Sequence, residues 1–156
     1  MDNNVLLNGF EEGLDNYIKV ELEAKSENEK LARNIIASFL IEKNPSVELL
    51  SDVKTAVSEA VTNAVVHAYK GKGGKIELEG RLKGNLLYVK VTDFGVGIQD
   101  IDKAMQPFFT TGKEDERSGL GFTVMETFMD KLNVLNNKST SGLVVEMVKN
   151  IKTETL

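Results

Sequence analysis

The chain has 156 residues, of which 41% are hydrophobic, and a formal net charge of −5; this size and composition favour one globular domain. The absence of cysteine and the single histidine exclude a disulfide framework and a Cys/His zinc site. An acidic chain without a Lys/Arg cluster is not expected to bind nucleic acid directly. No apolar run approaches the ~18 residues of a membrane span and no secretory signal begins the chain, so we expect a cytoplasmic protein.

Residues 1–16 mix glycine, asparagine and acids with scattered apolar side chains. They predict a flexible arm or a segment foreign to the natural protein, with docking as a short helix as the alternative. We expect residues 17–152 to form the domain and 153–156 a tail. The domain opens with alternating apolar and charged residues over 17–23, a pattern typical of a strand with one buried face.

The next segment predicts a helix that ends near residue 42. Ser26 and Glu29 have the spacing of a capping box, in which each side chain caps a backbone amide at the helix start. The apolar spacing predicts that the helix turns four residues inward: Leu31, Ile35, Ile36 and Phe39.

A long helix is predicted from residue 47 to about 69, because its apolar residues recur at helical spacing. Glu59, Asn63 and His67 follow one another at intervals of four and therefore share one face. An amide oxygen can bind Mg²⁺ as a neutral ligand, and a carboxylate can accept a proton from an attacking hydroxyl. The pair Glu59 and Asn63 thus suits a metal–phosphate site, although a solvated polar face is the commoner explanation of such a stripe.

Two strands follow, over 75–83 and 86–92, joined by a Gly84-Asn85 turn; the apolar density of the second predicts a central strand. Asp93 comes at its end, followed by Gly95 and Gly97. The carboxylate of Asp93 could accept a hydrogen bond from an exocyclic amine such as that of adenine. The two glycines permit close approach of backbone to a ligand, but an ordinary strand-end turn has the same pattern.

The stretch 99–118 is less regular and contains Phe109-Thr110-Thr111, which suits a lid over a nucleotide. Gly119 and Gly121 then open a helix to about residue 131, and helix N-termini attract phosphate. Arg117, just before it, could pair with a terminal phosphate. Two strands, over 132–136 and 142–148, complete an α+β sandwich with helices on one face of a mostly antiparallel, mixed sheet.

Each of these signals is weak alone, but their order is specific. Glu59-x-x-x-Asn63, Asp93-x-Gly95-x-Gly97, Phe109-Thr110-Thr111 and Gly119-x-Gly121 resemble the N, G1, F and G2 boxes of the GHKL ATPase/kinase superfamily, which includes gyrase and the histidine kinases. Three stretches narrow the resemblance to the sporulation anti-sigma-F factors, which are serine-protein kinases of endospore-forming bacteria: 58–69, 106–111 and 116–130. The resemblance covers roughly residues 17–152.

The resemblance implies a Bergerat-type two-layer sandwich and a homodimer that uses ATP and Mg²⁺. The family binds sigma factor F while ATP is held and phosphorylates a serine of an anti-anti-sigma factor. By similarity, Glu59 is the general base, Asn63 the Mg²⁺ ligand and Asp93 the acceptor of the adenine amine. The resemblance assigns further contacts to the base pocket (Gly95, Gly97), to the phosphates and lid (Thr110, Thr111, Arg117, Ser118, Gly119, Leu120, Gly121), and to the protein partners (Arg33).

One departure from the family pattern concerns adenine. Family members commonly have Gly-Thr-Thr entering the last strand, where a threonine helps to hold the base, but this chain has Gly142-Leu143-Val144. That contact is missing or comes from another residue.

Three alternatives remain open at this point. The chain could be a stress-response kinase acting on sigma-B-type factors, or a nucleotide-gated sigma-binding module without kinase activity. It could also be the catalytic domain of a histidine kinase, although no phosphoacceptor helix domain is recognised.

Overall fold

The computed structural model describes residues 6–106, 120–137 and 140–152. The described strands are β1 (Asn16–Glu23), β2 (Lys75–Lys83), β3 (Leu86–Asp93), β4 (Lys131–Asn136) and β5 (Leu143–Asn150). The described α-helices are α1 (Glu27–Leu40), α2 (Val47–Asn63), α3 (Ile101–Ala104) and α4 (Gly121–Phe128). A 3₁₀ turn (Ile41–Lys43) follows α1, and a π-helical turn (Ala64–Ala68) continues α2.

The five strands form one sheet in the order β1-β2-β3-β5-β4. Every described strand pair is antiparallel, and β3 is the central strand, as its apolar density predicted. The helices α1, α2 and α4 pack together over one face of the sheet. The predicted α+β sandwich is therefore confirmed, but the sheet, predicted to be mixed, is antiparallel throughout its described pairs. No helix within the described ranges combines the length and apolarity needed to cross a bilayer.

The core lies between the helices and the sheet. Its centre is formed by fully buried aliphatic side chains from both layers: Ile36, Leu40, Val53, Val57, Ile76, Leu78, Leu87 and Met147. Along β3, Leu87, Val89 and Val91 face the helices, and Tyr88, between the first two, is buried on the opposite face. This period of two fixes which strand-end side chains reach the helical layer.

The opposite face of the sheet, called the outer face below, is covered by the N-terminal segment. Phe10 is only 5% exposed and its ring centroid lies 5.3 Å from that of Tyr88. The backbone carbonyl of Phe10 accepts a hydrogen bond of 2.7 Å from Arg81. The described part of the expected flexible arm, residues 6–15, thus docks on the sheet, through turns rather than as the short helix of the alternative.

Two details of the first helix differ from the sequence prediction. Ser26 already has helical backbone angles and its side chain caps no amide, because Glu29 is turned toward α2 instead. Leu31, predicted to face inward, is 45% exposed. The buried side of α1 is formed instead by four other positions: Ala32, Ile36, Phe39 and Leu40.

The ends of two other helices also differ from the prediction. The helix α2 was predicted to run to about residue 69, but its α-helical part ends at Asn63 and passes into the π-helical turn. At its start, Ser46 caps the helix by accepting a hydrogen bond of 3.1 Å from the Leu49 amide. The helix α4 ends at Phe128, three residues earlier than predicted. Met129 there adopts an extended backbone and leads directly into β4.

Candidate functional site

The site begins at the carboxyl-terminal half of α2. Glu59 and Asn63 are both partly exposed, while the residues around them on the helix are buried against the core. The spacing of four residues puts both side chains on one face of α2. The apolar stripe of α2 is therefore what holds this polar face in a fixed direction.

Gly121, the first residue of α4, lies directly against these two side chains. A Cβ atom placed on Gly121 would lie 3.1 Å from Oδ1 of Asn63 and 3.4 Å from Oε2 of Glu59. The structure thus brings Gly121 against two predicted site residues that lie far from it in the sequence. Leu120 is partly buried and stands at the cap position of α4.

The start of α4 gives this cluster its electrostatic character. The first amides of a helix have no partner within the helix and carry a partial positive charge, which attracts phosphate. Here they lie beside a neutral amide and a carboxylate. The remaining residues predicted for the phosphates and the lid lie outside the described residues: Thr110, Thr111, Arg117, Ser118 and Gly119.

Asp93 ends β3 on the side of the sheet that faces the helices. Its side chain is buried, and Oδ1 accepts hydrogen bonds of 3.1 Å from the backbone amides of Gly95 and Leu143. Both of these bonds use Oδ1. Burial raises the pKa of the Asp93 carboxyl, and the two amide bonds offset part of that rise.

Gly95 and Gly97 shape the loop after Asp93. A Cβ on Gly95 would lie 2.3 Å from the carbonyl oxygen of Ala68, so only glycine allows the loop to pass this close to the end of the π-helical turn. Gly97 has φ +71°, and a Cβ there would lie 2.9 Å from Oδ1 of Asn136. Both glycines predicted to line the base pocket are therefore required locally, Gly95 by close backbone packing and Gly97 by its positive φ and the nearby Asn136 side chain.

Tyr69 is a residue of this site that the sequence prediction missed. Its hydroxyl donates to the Lys75 carbonyl at 2.5 Å and accepts from the Phe94 amide at 2.7 Å. The backbone amide of Tyr69 bonds to the Ala64 carbonyl across the wide turn. One side chain thus ties the end of α2 to the Asp93 loop. The only sequence signal was a tyrosine at the end of an apolar helix.

Asn136, at the end of β4, was also missed. Its side-chain oxygen accepts from the Ile98 amide at 3.1 Å, and its side-chain nitrogen donates to the Ile98 carbonyl at 2.9 Å. These two bonds satisfy the backbone amide and carbonyl of Ile98, as a neighbouring strand would, and hold the loop after Gly97 against the end of β4. Asn136 also lines an open groove of about 810 Å³, together with the loop and α3: Gly97, Ile98, Gln99, Asp100, Ile101, Asp102 and Lys103.

The departure at Leu143 concerns only the side chain. Gly142 has φ +120°, and its backbone passes so close to that of Asp93 that a Cβ would lie 2.1 Å from the Asp93 carbonyl oxygen. This approach lets the Leu143 amide bond to Asp93 whatever side chain follows. The side chains of Leu143 and Val144 are both buried and apolar, so neither supplies the hydroxyl found in the family pattern.

Arg33 lies apart from this site, on α1. It is one turn after Glu29, and its Nε is buried without a hydrogen-bond partner among the described residues. The structure therefore does not bring Arg33 together with Asp93 or Gly121. Its place on a separate helix agrees with a role other than nucleotide binding.

The described residues offer Mg²⁺ few oxygen ligands. In the described part of the chain, no group of three or more His, Asp or Glu side chains could hold a metal ion. Mg²⁺ in nucleotide sites takes one or two protein oxygens and completes its shell with phosphates and water. Asn63 and Glu59, next to a helix N-terminus, fit that arrangement, whereas they do not fit an all-protein cage.

The sequence is similar to an ATPase domain family and to anti-sigma F factors. The sequence model of the histidine kinase-like ATPase domain matches residues 22–149. An anti-sigma F factor of Clostridium kluyveri is 49% identical over 137 residues, covering 87% of this chain and 96% of the relative. One from a Thermoanaerobacter species is 47% identical over 136 residues, covering 87% of this chain and 94% of the relative.

Solved structures agree with the fold at low identity. The RsbU and RsbW domains of Rv1364c from Mycobacterium tuberculosis match with a TM-score of 0.61 and 17% identity, covering 90% of this chain and 35% of that one. The catalytic domain of histidine kinase ThkA matches with a TM-score of 0.55 and 19% identity, covering 86% of this chain and 96% of that one. These matches confirm the predicted GHKL-type sandwich.

Proposed function

The chain belongs to the anti-sigma F factors, within the histidine kinase-like ATPase domain family, and we propose that it is an ATP-dependent protein serine kinase that binds sigma factor F. Its phosphoryl acceptor is a serine of an anti-anti-sigma factor. The observation that carries the proposal is the convergence of Glu59 and Asn63 on Gly121 at the start of α4. A binding module that never transfers phosphate has no need of a carboxylate at that point.

Each side chain of the site has a distinct part in this reaction. Asp93 accepts a hydrogen bond from the exocyclic amine of adenine through Oδ2, while its other oxygen is held by backbone amides. The amides at the start of α4 stabilise the phosphates by their partial charge. Asn63 holds Mg²⁺ through its amide oxygen, and when bound the ion neutralises phosphate charge.

Glu59 acts at the transfer itself. A bond forms between the serine oxygen and the γ-phosphorus, the bond from that phosphorus to the bridging β–γ oxygen breaks, and Glu59 takes the proton of the serine hydroxyl. Phosphoryl transfer depends mainly on positioning and charge stabilisation. Glu59 should therefore affect the rate of transfer far more than the binding of ATP. Arg117, predicted to contact the terminal phosphate, completes the proposed catalytic set.

A phosphotransfer assay tests the proposal. Purified protein is mixed with labelled Mg-ATP and an anti-anti-sigma factor, in parallel with Glu59→Gln and with Glu126→Gln, an exposed position on α4. We expect label on a substrate serine with the parent and with Glu126→Gln, a rate at least about 100-fold lower with Glu59→Gln, and equal ATP affinity in all three.

Two other outcomes would redirect the assignment. Binding of ATP without any transfer by the parent would support a nucleotide-gated binding module. Loss of ATP binding in Glu59→Gln would contradict the role of Glu59 as a base. Pull-downs with sigma factors of the F and B types, with and without ATP, then distinguish the sporulation partner from the stress-response alternative.

A further inference from the structure

Two hydroxyl groups on α2 are held by a carboxylate from α1. Oγ of Ser58 donates to Oε1 of Glu29 at 2.5 Å, and Oγ1 of Thr62 donates to Oε2 of the same carboxylate at 2.7 Å. Both hydroxyl-bearing residues are buried, with Thr62 only 2% exposed. Because both oxygens of Glu29 are used, one side chain bridges two points that lie one turn apart on α2.

Other threonines in the same protein show the usual alternative. Thr55 on α2 and Thr127 on α4 each donate to the backbone carbonyl four residues earlier, at 2.8 Å. That local bond is what serine and threonine normally form within a helix. Ser58 and Thr62 instead make charge-assisted bonds to another helix, which are the stronger kind.

The bridge lies directly beside the proposed catalytic pair. Ser58 and Thr62 each precede a site residue, Glu59 and Asn63 respectively, so the two stripes are adjacent on the surface of α2. Directly after Asn63 the helix passes into the π-helical turn, in which the hydrogen-bonding pattern changes. Glu29 therefore holds α2 at its last regular turn before this change, in addition to the apolar packing of the helix.

From these contacts we propose that Glu29 is a positioning residue for phosphoryl transfer: it sets the rotation of α2 and thereby the directions of Glu59 and Asn63 toward Gly121. Displacements of about 1 Å at a reacting group can cost on the order of 100-fold in rate. The inference deepens the proposed function and rests on it. Glu29 does not itself touch the reacting atoms in this proposal.

The test compares Glu29→Ala with Glu29→Gln and with Glu27→Ala, an exposed acid in the first turn of the same helix. We expect Glu29→Ala to lower kcat at saturating ATP about 10-fold to 100-fold. Glu29→Gln should restore part of that loss, because an amide can accept from one hydroxyl and donate to the other. Glu27→Ala should behave as the parent does.

A second measurement does not depend on turnover or on a protein partner. Affinity for an ATP analogue is measured with and without Mg²⁺ for each variant. If Glu29 sets the direction of Asn63, Glu29→Ala reduces the gain in affinity that Mg²⁺ provides, while the Mg²⁺-free affinity stays equal. A general loss of stability, measured well below Tm, would instead change the affinities with and without Mg²⁺ together or leave both unchanged.

The failures are distinguishable. Equal kcat and an equal Mg²⁺ effect in the parent and in Glu29→Ala would overturn the positioning role while leaving the kinase proposal intact. Absence of transfer by the parent would overturn the kinase proposal and with it a role of Glu29 in transfer, and the Mg²⁺ measurement would still decide whether Glu29 sets the direction of Asn63. If Glu29→Ala does not fold, Thr62→Val, which keeps the volume and removes one of the two bonds, is measured in the same way with the same expected direction.

Discussion

The charge on the Asp93 carboxylate costs stability of the fold, although the proposed binding of adenine uses that charge. The carboxyl is buried, and burial raises its pKa because the charged form loses contact with water. The amides of Gly95 and Leu143 offset only part of that cost. The buried charge thus destabilises the fold at the position that we propose as the acceptor for the adenine amine.

Replacing Asp93 by asparagine tests this opposition. We expect Asp93→Asn to bind ATP at least about ten-fold more weakly, since a charged acceptor is lost and an amide donor can face the adenine amine. Its Tm should equal or exceed that of the parent, because the buried charge is removed. Asp102→Asn, at an exposed position on α3, serves as the control. Unchanged nucleotide affinity would count against the assigned role.

The raised pKa also predicts a pH dependence of binding. An ordinary aspartate titrates near 3.8, and the folded-state pKa of Asp93 lies above that value. As the pH falls through the raised pKa, the carboxylate is protonated and the affinity for ATP falls. This loss occurs at a higher pH than it would for an ordinary aspartate. The folded state gains stability from the same protonation; this gain is complete below 3.8 and is lost as the pH rises through the folded pKa. Affinities of parent and Asp93→Asn between pH 7 and pH 4 should converge toward the acid end.

Gly121 shows how little room the site has. A Cβ there would lie 3.1 Å from Asn63 and 3.4 Å from Glu59, so Gly121→Ala must displace the Asn63 side chain. We expect affinity for Mg-ATP to fall several-fold, up to about ten-fold, with Tm unchanged or raised because alanine favours a helix. Calorimetric titration and thermal melts check both, with Glu126→Ala on the same helix as control. An unchanged affinity would show that Asn63 has a second acceptable position.

At the scale of elements, the end of α2 explains how the two parts of the site are joined. The π-helical turn widens the backbone after Asn63 and brings the Ala68 carbonyl against the Asp93 loop, where it accepts from Val96 at 3.2 Å. Tyr69 then bonds to the Phe94 amide and the Lys75 carbonyl. The helix that carries Glu59 and Asn63, on the proposed phosphate side, therefore also anchors the Asp93 loop, on the proposed base side.

Tyr69→Phe is predicted to loosen this joint. The Phe94 amide loses its partner, which costs about 1 kcal/mol of stability and frees the loop beside Asp93. We expect a lower Tm and ATP affinity reduced a few-fold, measured by thermal melting and fluorescent-nucleotide titration. Tyr17→Phe removes a hydroxyl bonded to Glu79 on β2, and it should leave ATP affinity as it is. Equal effects of the two variants on affinity would contradict the anchoring role.

At the scale of the whole molecule, the sheet is covered on both faces, by different means. The helices cover the face that carries the site, and residues 6–15 cover part of the outer face. Beneath that segment Glu146 is fully buried and accepts from Tyr88 at 2.7 Å and from Asn133 at 2.8 Å. The N-terminal segment thus keeps water from a charged network in the centre of the sheet.

Phe10→Ala should weaken this cover without touching the site. We expect a loss of roughly 3 kcal/mol in the free energy of unfolding, the usual cost of removing a buried phenyl ring. ATP affinity should stay equal, because Phe10 and Asp93 lie on opposite faces of the sheet. Chemical denaturation and nucleotide titration check the two parts. An unchanged free energy of unfolding would mean that residues 6–15 add nothing to stability.

The sequence by itself determined the class of fold and the family, and it predicted the residues of the nucleotide site, whose roles stay predictions. It could do so because helical and strand periodicities are local, and because Glu59, Asn63, Asp93 and Gly121 stand in ordered motifs. Most element bounds followed for the same reason, although Leu31 was predicted inward when a one-residue shift in helical phase exposed it.

Only the tertiary structure decided how those motifs meet. The bonds of Glu29 to α2, of Tyr69 to the Asp93 loop and of Asn136 to Ile98 join elements 25 or more residues apart. No local pattern encodes such partners, so the capping box predicted for Glu29 was wrong and the other two residues were missed. The docking of Phe10 on Tyr88 is of the same kind. A side chain's role is fixed by what the fold places beside it, and that depends on the packing of all the layers together.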